Sequence, residues 1–229
     1  MTLRQALWQI VRVVTWTKRR QRVATTGELV KVNLGSGLSV APGWMNVDGG
    51  VHALCSRWPT SFLCWLHKHS DCRNTHSRQE YLQVLRQNRF VHHGLEYGVP
   101  CGDAAVNVIY SSHALEHFFR EDAEALLRDA YRTLKPGGRI RVAVPDLDYA
   151  VKLYQKGAKE EAMTFFFSLT RAGYLNQHHY MYDFDLLRRL LESVGFVEIE
   201  RCAFQEGQCP DVKTLDNRPE ETLFVEARK

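Results

Sequence analysis

No stretch of this 229-residue sequence approaches the roughly eighteen uninterrupted apolar residues that a bilayer-spanning helix needs. Cysteine is sparse and irregular, at positions 55, 64, 72, 101, 202 and 209, with no Cys-x-x-Cys pair and no secretory-signal pattern. That usage points to reduced thiols in a cytoplasmic protein. A P-loop Lys-Ser/Thr pair is missing, which excludes the common triphosphate cradle. Acidic residues are missing from positions 1–22, which hold Arg4, Arg12, Lys18, Arg19, Arg20 and Arg22. That segment is therefore +6 within a net charge of +4, and the remainder is −2. A fold-wide basic surface for nucleic acid is excluded on that distribution, and no nucleic-acid partner is expected.

What is present suits one α/β domain. The 45% hydrophobic and 24% charged content is ordinary for a folded protein. In residues 1–28, Leu3, Leu7, Ile10, Val11 and Val14 fall at helical spacing, with Trp8 and Trp16 beside the basic side chains. This basic amphipathic helix either packs on its own domain or rests on an anionic membrane through residues 1–22. The second choice would put the protein at the inner face of that membrane.

From residue 29 onward a single domain is expected. Lys31-Val-Asn-Leu-Gly35-Ser-Gly37 reads as a strand ending in a glycine turn, and Asp48 closes the next apolar run eleven residues later. A dinucleotide site would want a third small residue at position 40, where Val stands, and an acid farther on. Only six residues separate Gly37 from Trp44, so the first crossover helix must shrink to about a turn. Residues 51–87 read as an insertion of two short helices. It contains Cys64-x-x-His67-x-His69-x-x-Cys72, but on a helix His69 points away from Cys64 and His67, so no metal is assigned.

Beyond the insertion, strands are expected at Arg89–His93, Val106–Tyr110, Arg139–Val144, Val197–Arg201 and Thr222–Ala227. Helices are expected at Glu121–Leu134, about 147–173, and Phe184–Val194, with Asp183 as the cap of the last. Lys135-Pro-Gly-Gly138 reads as a helix stop and turn. This alternation implies a doubly wound, mostly parallel sheet whose ligands sit beyond the carboxyl ends of the strands. Those ends carry Gly35, Gly37, Asp48, Gly94, Ser111 to His113, and Asp146.

Four motifs in order, Asn33-Leu-Gly-Ser-Gly37, Gly43-Trp-Met-Asn-Val-Asp48, Ile109-Tyr-Ser-Ser-His-Ala-Leu-Glu-His117 and Tyr131-Arg-Thr-Leu-Lys-Pro-Gly-Gly-Arg139, resemble the class I S-adenosylmethionine-dependent methyltransferases. The likeness is closest to the bacterial type 11 kind, often associated with surface polysaccharide synthesis, and covers residues 29–228. It implies a Rossmann-like seven-stranded sheet with an antiparallel last strand, and S-adenosyl-L-methionine as cofactor. By the same resemblance Asn33, Leu34, Gly35, Ser36 and Gly37 wrap the methionine part, and Asp48 accepts from the ribose hydroxyls. Ser111, Ser112 and His113 line the floor near the sulfonium. Relatives place an acid before Leu95 for the adenine amino group. Here that position is Gly94, and the contact is assigned to backbone at Gly94 and Leu95 or to His93.

An oxygen acceptor needs a base, and His113 and His179 are the candidates, the latter within His178-His179-Tyr180-Met-Tyr182-Asp183. The expected acceptor is a glycan, a lipid-linked sugar or a small molecule. Two other readings compete. One is a non-catalytic cofactor-binding or membrane-linked scaffold. The other is a zinc metallopeptidase, because His113-Ala-Leu-Glu116-His117 matches H-x-x-E-H, although no third ligand is identifiable.

Overall fold

The computed structural model describes residues 3–167 and 177–229, with side chains from Gln9 onward. Seven strands form one sheet: β1 (Lys31–Leu34), β2 (Trp44–Asp48), β3 (Arg89–His92), β4 (Val106–Ser112), β5 (Leu134–Pro145), β6 (Val197–Cys202) and β7 (Thr222–Arg228). Their order is β3-β2-β1-β4-β5-β7-β6. The first five strands pair in parallel, and β7 runs antiparallel to both β5 and β6. The chain reverses direction across the sheet at β1, between β2 and β4, so the crevice that such a switch opens lies beyond Leu34.

β1 and β2 pair directly, Lys31 opposite Trp44, and no helix joins them. Residues 35–43 make the crossing as turns, with Gly35, Gly37 and Gly43 at φ of 67°, 50° and 78°. These left-handed conformations let so short a segment reverse twice without steric cost. The sheet face beneath this segment is covered by Ala41 and Trp44 together with Cys209, Val212 and Leu215, the last two on the short α9 (Val212–Leu215). On the opposite face, α5 (Arg120–Thr133) buries Ala123, Leu126, Leu127 and Ala130, and α8 (Phe184–Val194) buries Leu187, Leu190 and Leu191. Asp183 caps α8 by accepting from the Leu186 N–H at 2.7 Å, and Gly195 ends it at φ 110°.

Two expectations need correction. The 51–87 insertion contains three α-helices and a 3-10 turn where two helices were expected: α2 (Val51–Cys55), α3 (Thr60–Lys68), residues 71–74, and α4 (Arg78–Gln87). They close over their own small core of Cys55, Leu63, Leu66, Tyr81 and Leu85. Lys135 to Gly138 is not simply a turn after a helix. Leu134 already pairs with Val106 and Arg139 resumes at Val108, so the four residues bulge out within β5. Of the helices expected at 147–173, α6 (Leu147–Gln155) and α7 (Lys159–Phe166) are seen, and the end of that range lies outside the described residues.

The N-terminal α1 (Leu3–Thr17) docks on the domain through Val11 and Thr15, and Ile10, expected on the inward stripe, points outward. Thr15 Oγ1 lies 3.3 Å from His92 Nε2, which also lies 3.1 Å from the Gly49 carbonyl. The carbonyl can only accept, so neutral His92 carries its proton on Nε2. Burial, followed by Lys18 just after α1, holds His92 below the ordinary 6.5, together with His93 and against the pull of the Gly49 carbonyl and Asp48. Burial likewise lowers His93 and His52. Below pH 6.5 the unfolded chain therefore takes up protons that the folded chain refuses, and stability falls with pH. We expect the urea midpoint to drop between pH 7 and 5, and His92→Asn to flatten that decline, as followed by tryptophan fluorescence. Among the described residues no helix is long and apolar enough to cross a membrane.

Candidate active site

At the carboxyl end of β1 the backbone turns sharply inward. The Gly35 N–H donates to the Val47 carbonyl at 2.9 Å, and a Cβ at Gly35 would stand 2.6 Å from the Ala114 methyl. Only glycine fits there. Asn33, buried in β1, donates from Nδ2 to the Ser39 carbonyl (2.9 Å) and to Asn46 Oδ1 (3.1 Å), so it holds the far side of the same loop. Asp48 holds the near side: Oδ2 accepts from the Gly37 N–H at 2.9 Å and Oδ1 from the Gly50 N–H at 2.6 Å. A carboxylate has about four acceptor positions, so two remain for a ligand's hydroxyl pair.

A cleft of about 180 Å³ opens above this loop. Asn33, Gly35, Ser36 and Gly37 line one side, Tyr110, Ser112 and His113 the floor, and Asn217 and Arg218 the other side. Ser36 Oγ is buried and has no hydrogen-bond partner among the described residues, an orphan that a polar ligand in the cleft would satisfy. Leu34 and Ser111 face the packed interior and Leu95 packs 3.6 Å from the position of a Gly35 Cβ, so these three support the cleft and do not line it. His93 is fully buried, edge-on to Tyr97. Gly94 has no room for a side chain, because Thr15 and the Glu96 carboxylate already occupy that space.

His113 occupies the wall between this cleft and a second one. It has φ 50°, uncommon for a residue with a Cβ, and its N–H donates to the Ala143 carbonyl at 2.9 Å. Its Nε2 lies 3.1 Å from Thr222 Oγ1 and its Nδ1 3.3 Å from Glu116 Oε1. The second cleft, about 300 Å³, is lined by His113, Pro145, Thr164, Phe165, His178, Arg218 and Glu221. Of the two adjacent histidines, His178 lines the cleft, whereas the ring of His179 stacks on Phe119 at 4.4 Å. His178, and not the expected His179, thus faces the second cleft, and the His179 N–H donates to the Glu116 carbonyl.

A family model described as a methyltransferase domain matches residues 70–200, more than half of the chain. The chain belongs to this methyltransferase family. Its strand order and antiparallel β7 are the class I Rossmann-like arrangement, and the methyltransferase has S-adenosylmethionine as its cofactor. The residues present fit that group: an anchored carboxylate at Asp48, a glycine approach at 35 and the orphan Ser36 hydroxyl. The methyltransferase is similar in fold to a SAM-dependent methyltransferase of Archaeoglobus fulgidus (TM-score 0.50, 14% identity, 99% of this chain and 94% of that one). It is also similar to a Nostoc punctiforme protein assigned as an O-methyltransferase (0.51, 13%, 96% and 56%) and to the CurJ carbon methyltransferase (0.51, 13%, 96% and 53%). The chain thus spans about half the length of these last two proteins. No curated protein matches the chain.

The remaining motifs have other roles. His113-Ala-Leu-Glu116-His117 lies on a strand end and a 3-10 turn (Leu115–His117), so its two histidines do not share a helical face as a metallopeptidase requires. Cys64, His67, His69 and Cys72 do not converge: His67 Nε2 meets the His76 carbonyl at 2.8 Å, Cys72 Sγ meets Ser70, and His69 packs on Trp65. Asp146 caps α6 and pairs with Arg201 at 2.7 Å. Sequence reasoning missed Asn217 and Arg218, which line the cleft and follow a segment with neither strand nor helix periodicity.

Proposed function

We propose that the methyltransferase moves the S-adenosylmethionine methyl group to a hydroxyl of a small polar acceptor, with a sugar hydroxyl of a glycan or lipid-linked precursor as the leading class. The observation that supports this is the shared wall: His113 and Arg218 line both clefts, so a donor in one and an acceptor in the other meet at these two side chains. When bound, the cofactor supplies a methyl group already activated on a sulfonium, so alignment and a dry site are the protein's main contribution. Asn33 and Asp48 fix the loop that holds the donor, and Asp48 takes the ribose hydroxyls. Glu96, beside Gly94, takes the adenine amino group in place of the acid that relatives carry one position before Leu95.

On the acceptor side, Arg218, Glu221, His178 and Thr164 offer donors and acceptors beside the Phe165 ring, a lining suited to a hydroxylated ligand. In transfer to oxygen, the C–S bond breaks as the O–C bond forms, sulfur keeps the electron pair, and the acceptor's proton leaves to His113 or to water. Release of S-adenosylhomocysteine from a panel of nucleotide sugars and free sugars tests the assignment. We expect turnover with at least one sugar and its loss in Arg218→Ala. Turnover confined to amines or carbon acids would overturn the oxygen assignment.

The second partner is an anionic membrane surface, at its cytoplasmic side. Ile10, Val13 and Trp16 are 57%, 62% and 54% exposed along the outer face of α1, next to Lys18, Arg19 and Arg20. Apolar insertion beside a basic cluster is the combination that anionic lipid attracts. Wild-type protein should float with phosphatidylglycerol vesicles and not with neutral ones, and the Ile10→Ser/Val13→Ser/Trp16→Ser variant should stay at the bottom. Equal flotation of the two proteins removes the membrane assignment.

A further inference from the structure

Glu116, His117 and His178 bring one ligand atom each to within 4.8 Å of one another, although His178 is 61 residues beyond His117 in the chain. Two features distinguish the group from chance proximity. Glu116 is 1% exposed, yet neither carboxylate oxygen accepts a hydrogen bond among the described residues. Its nearest ion-pair partner, His113 Nδ1 at 3.3 Å, lies outside hydrogen-bonding geometry. A buried carboxylate without donors is costly unless a cation compensates it.

The two imidazoles are held in a matching way. His117 Nδ1 lies 3.1 Å from the Gln177 carbonyl, and His178 Nδ1 lies 2.5 Å from the Phe165 carbonyl. A carbonyl can only accept, so both Nδ1 atoms carry the proton and both Nε2 atoms keep a free lone pair. Metal-bound histidines are oriented in this manner, with the second ring nitrogen donating to a carbonyl or carboxylate. The rings stand 5.2 Å apart at 59°.

We propose that Glu116, His117 and His178 bind one divalent transition-metal ion, zinc or a neighbour such as cobalt, nickel or iron, on the acceptor side of the clefts. Two imidazoles and one carboxylate suit these ions better than magnesium or calcium, which prefer oxygen-only shells. Binding draws the three ligand atoms inward to about 2.0–2.2 Å from the ion and leaves at least one coordination position open. His178 lines the second cleft, so that position is available to an acceptor oxygen. This last role rests on the proposed methyl transfer; metal binding itself does not.

The probe is Co2+ added to full-length protein stripped with a chelator and then freed of it. Equilibrium dialysis and the visible d–d absorbance are followed, and S-adenosylmethionine affinity is measured on the same samples. We expect one cobalt per chain, displaced by Zn2+, and an affinity loss of at least about 100-fold in His117→Ala and in His178→Ala. Glu116→Gln, which keeps the shape of the buried side chain, should also lose affinity, and His69→Ala, remote and exposed, should not. Retained cofactor affinity in these variants shows that they are folded. Absence of cobalt uptake by the wild type, or wild-type uptake by both histidine variants, overturns the site. Cobalt uptake without cofactor binding would sink the methyl-transfer reading and keep the metal site.

Discussion

Asp48→Ala should lower the affinity for S-adenosylmethionine and S-adenosylhomocysteine by at least about 100-fold, read by titration calorimetry, because two charge-assisted bonds to a ligand carry about 3 kcal/mol or more together. The same carboxylate accepts from the N–H groups of Gly37 and Gly50, so its removal also releases the loop that shapes the cleft. Both effects weaken binding. Asp48→Asn separates them, since the amide oxygen can still accept from one of the two N–H groups but carries no charge. Its affinity should fall between wild type and alanine. An alanine variant that binds as wild type does would show that the cofactor uses neither the carboxylate nor the loop it holds.

Arg141→Ala should destabilise the fold by about 3–5 kcal/mol, the cost of leaving buried charges without their partner. Arg141 is fully buried in β5 and sits opposite Glu226 of β7. Its guanidinium donates to Asp216 (2.6 and 3.2 Å), to Glu226 (2.9 Å) and to the carbonyls of Ala203 and Glu206. Asp216 in turn accepts from Tyr110 Oη and the Gln205 N–H, and Glu226 from the N–H groups of Gln208 and Cys209. The network thus pins residues 203–217 against the sheet, and Asn217 and Arg218 enter the clefts directly after it. Guanidinium-chloride denaturation measures the loss. Arg141→Met removes the charge but fills the volume; if it matches the alanine variant, the unpaired acids dominate, and if it is nearly wild type, the cavity does.

How much of this was legible in the sequence follows from where the constraints are local. The strands and helices from residue 89 onward are readable because each has its own period and its own stop, as Asp183 and Gly195 show for α8. Gly35 and Asp48 are readable for the same reason, since a turn and a strand end announce themselves over a few residues. The short crossing between β1 and β2 could be anticipated from chain length alone, but not what covers the exposed face: Cys209, Val212 and Leu215 arrive from far along the chain. Arg141 reads as an outward strand position, and only the returning loop makes it buried. Glu116, His117 and His178 illustrate the same limit. The pattern His113-x-x-Glu116-His117 contains two of the three residues of the proposed metal site and not the third, because His113 has φ 50° and lies against Thr222 while His178 is delivered by the chain preceding α8.

On the proposed function, the β1–β2 loop and the ends of β3 and β4 hold S-adenosylmethionine. Hydrogen exchange followed by mass spectrometry, with and without S-adenosylhomocysteine, tests it most directly. The structure predicts slowed exchange in peptides covering residues 33–39, 48–50, 94–97 and 110–114, and unchanged exchange in the helices of residues 51–87. Protection absent from the first four segments, or concentrated around Cys64 to Cys72, would contradict it.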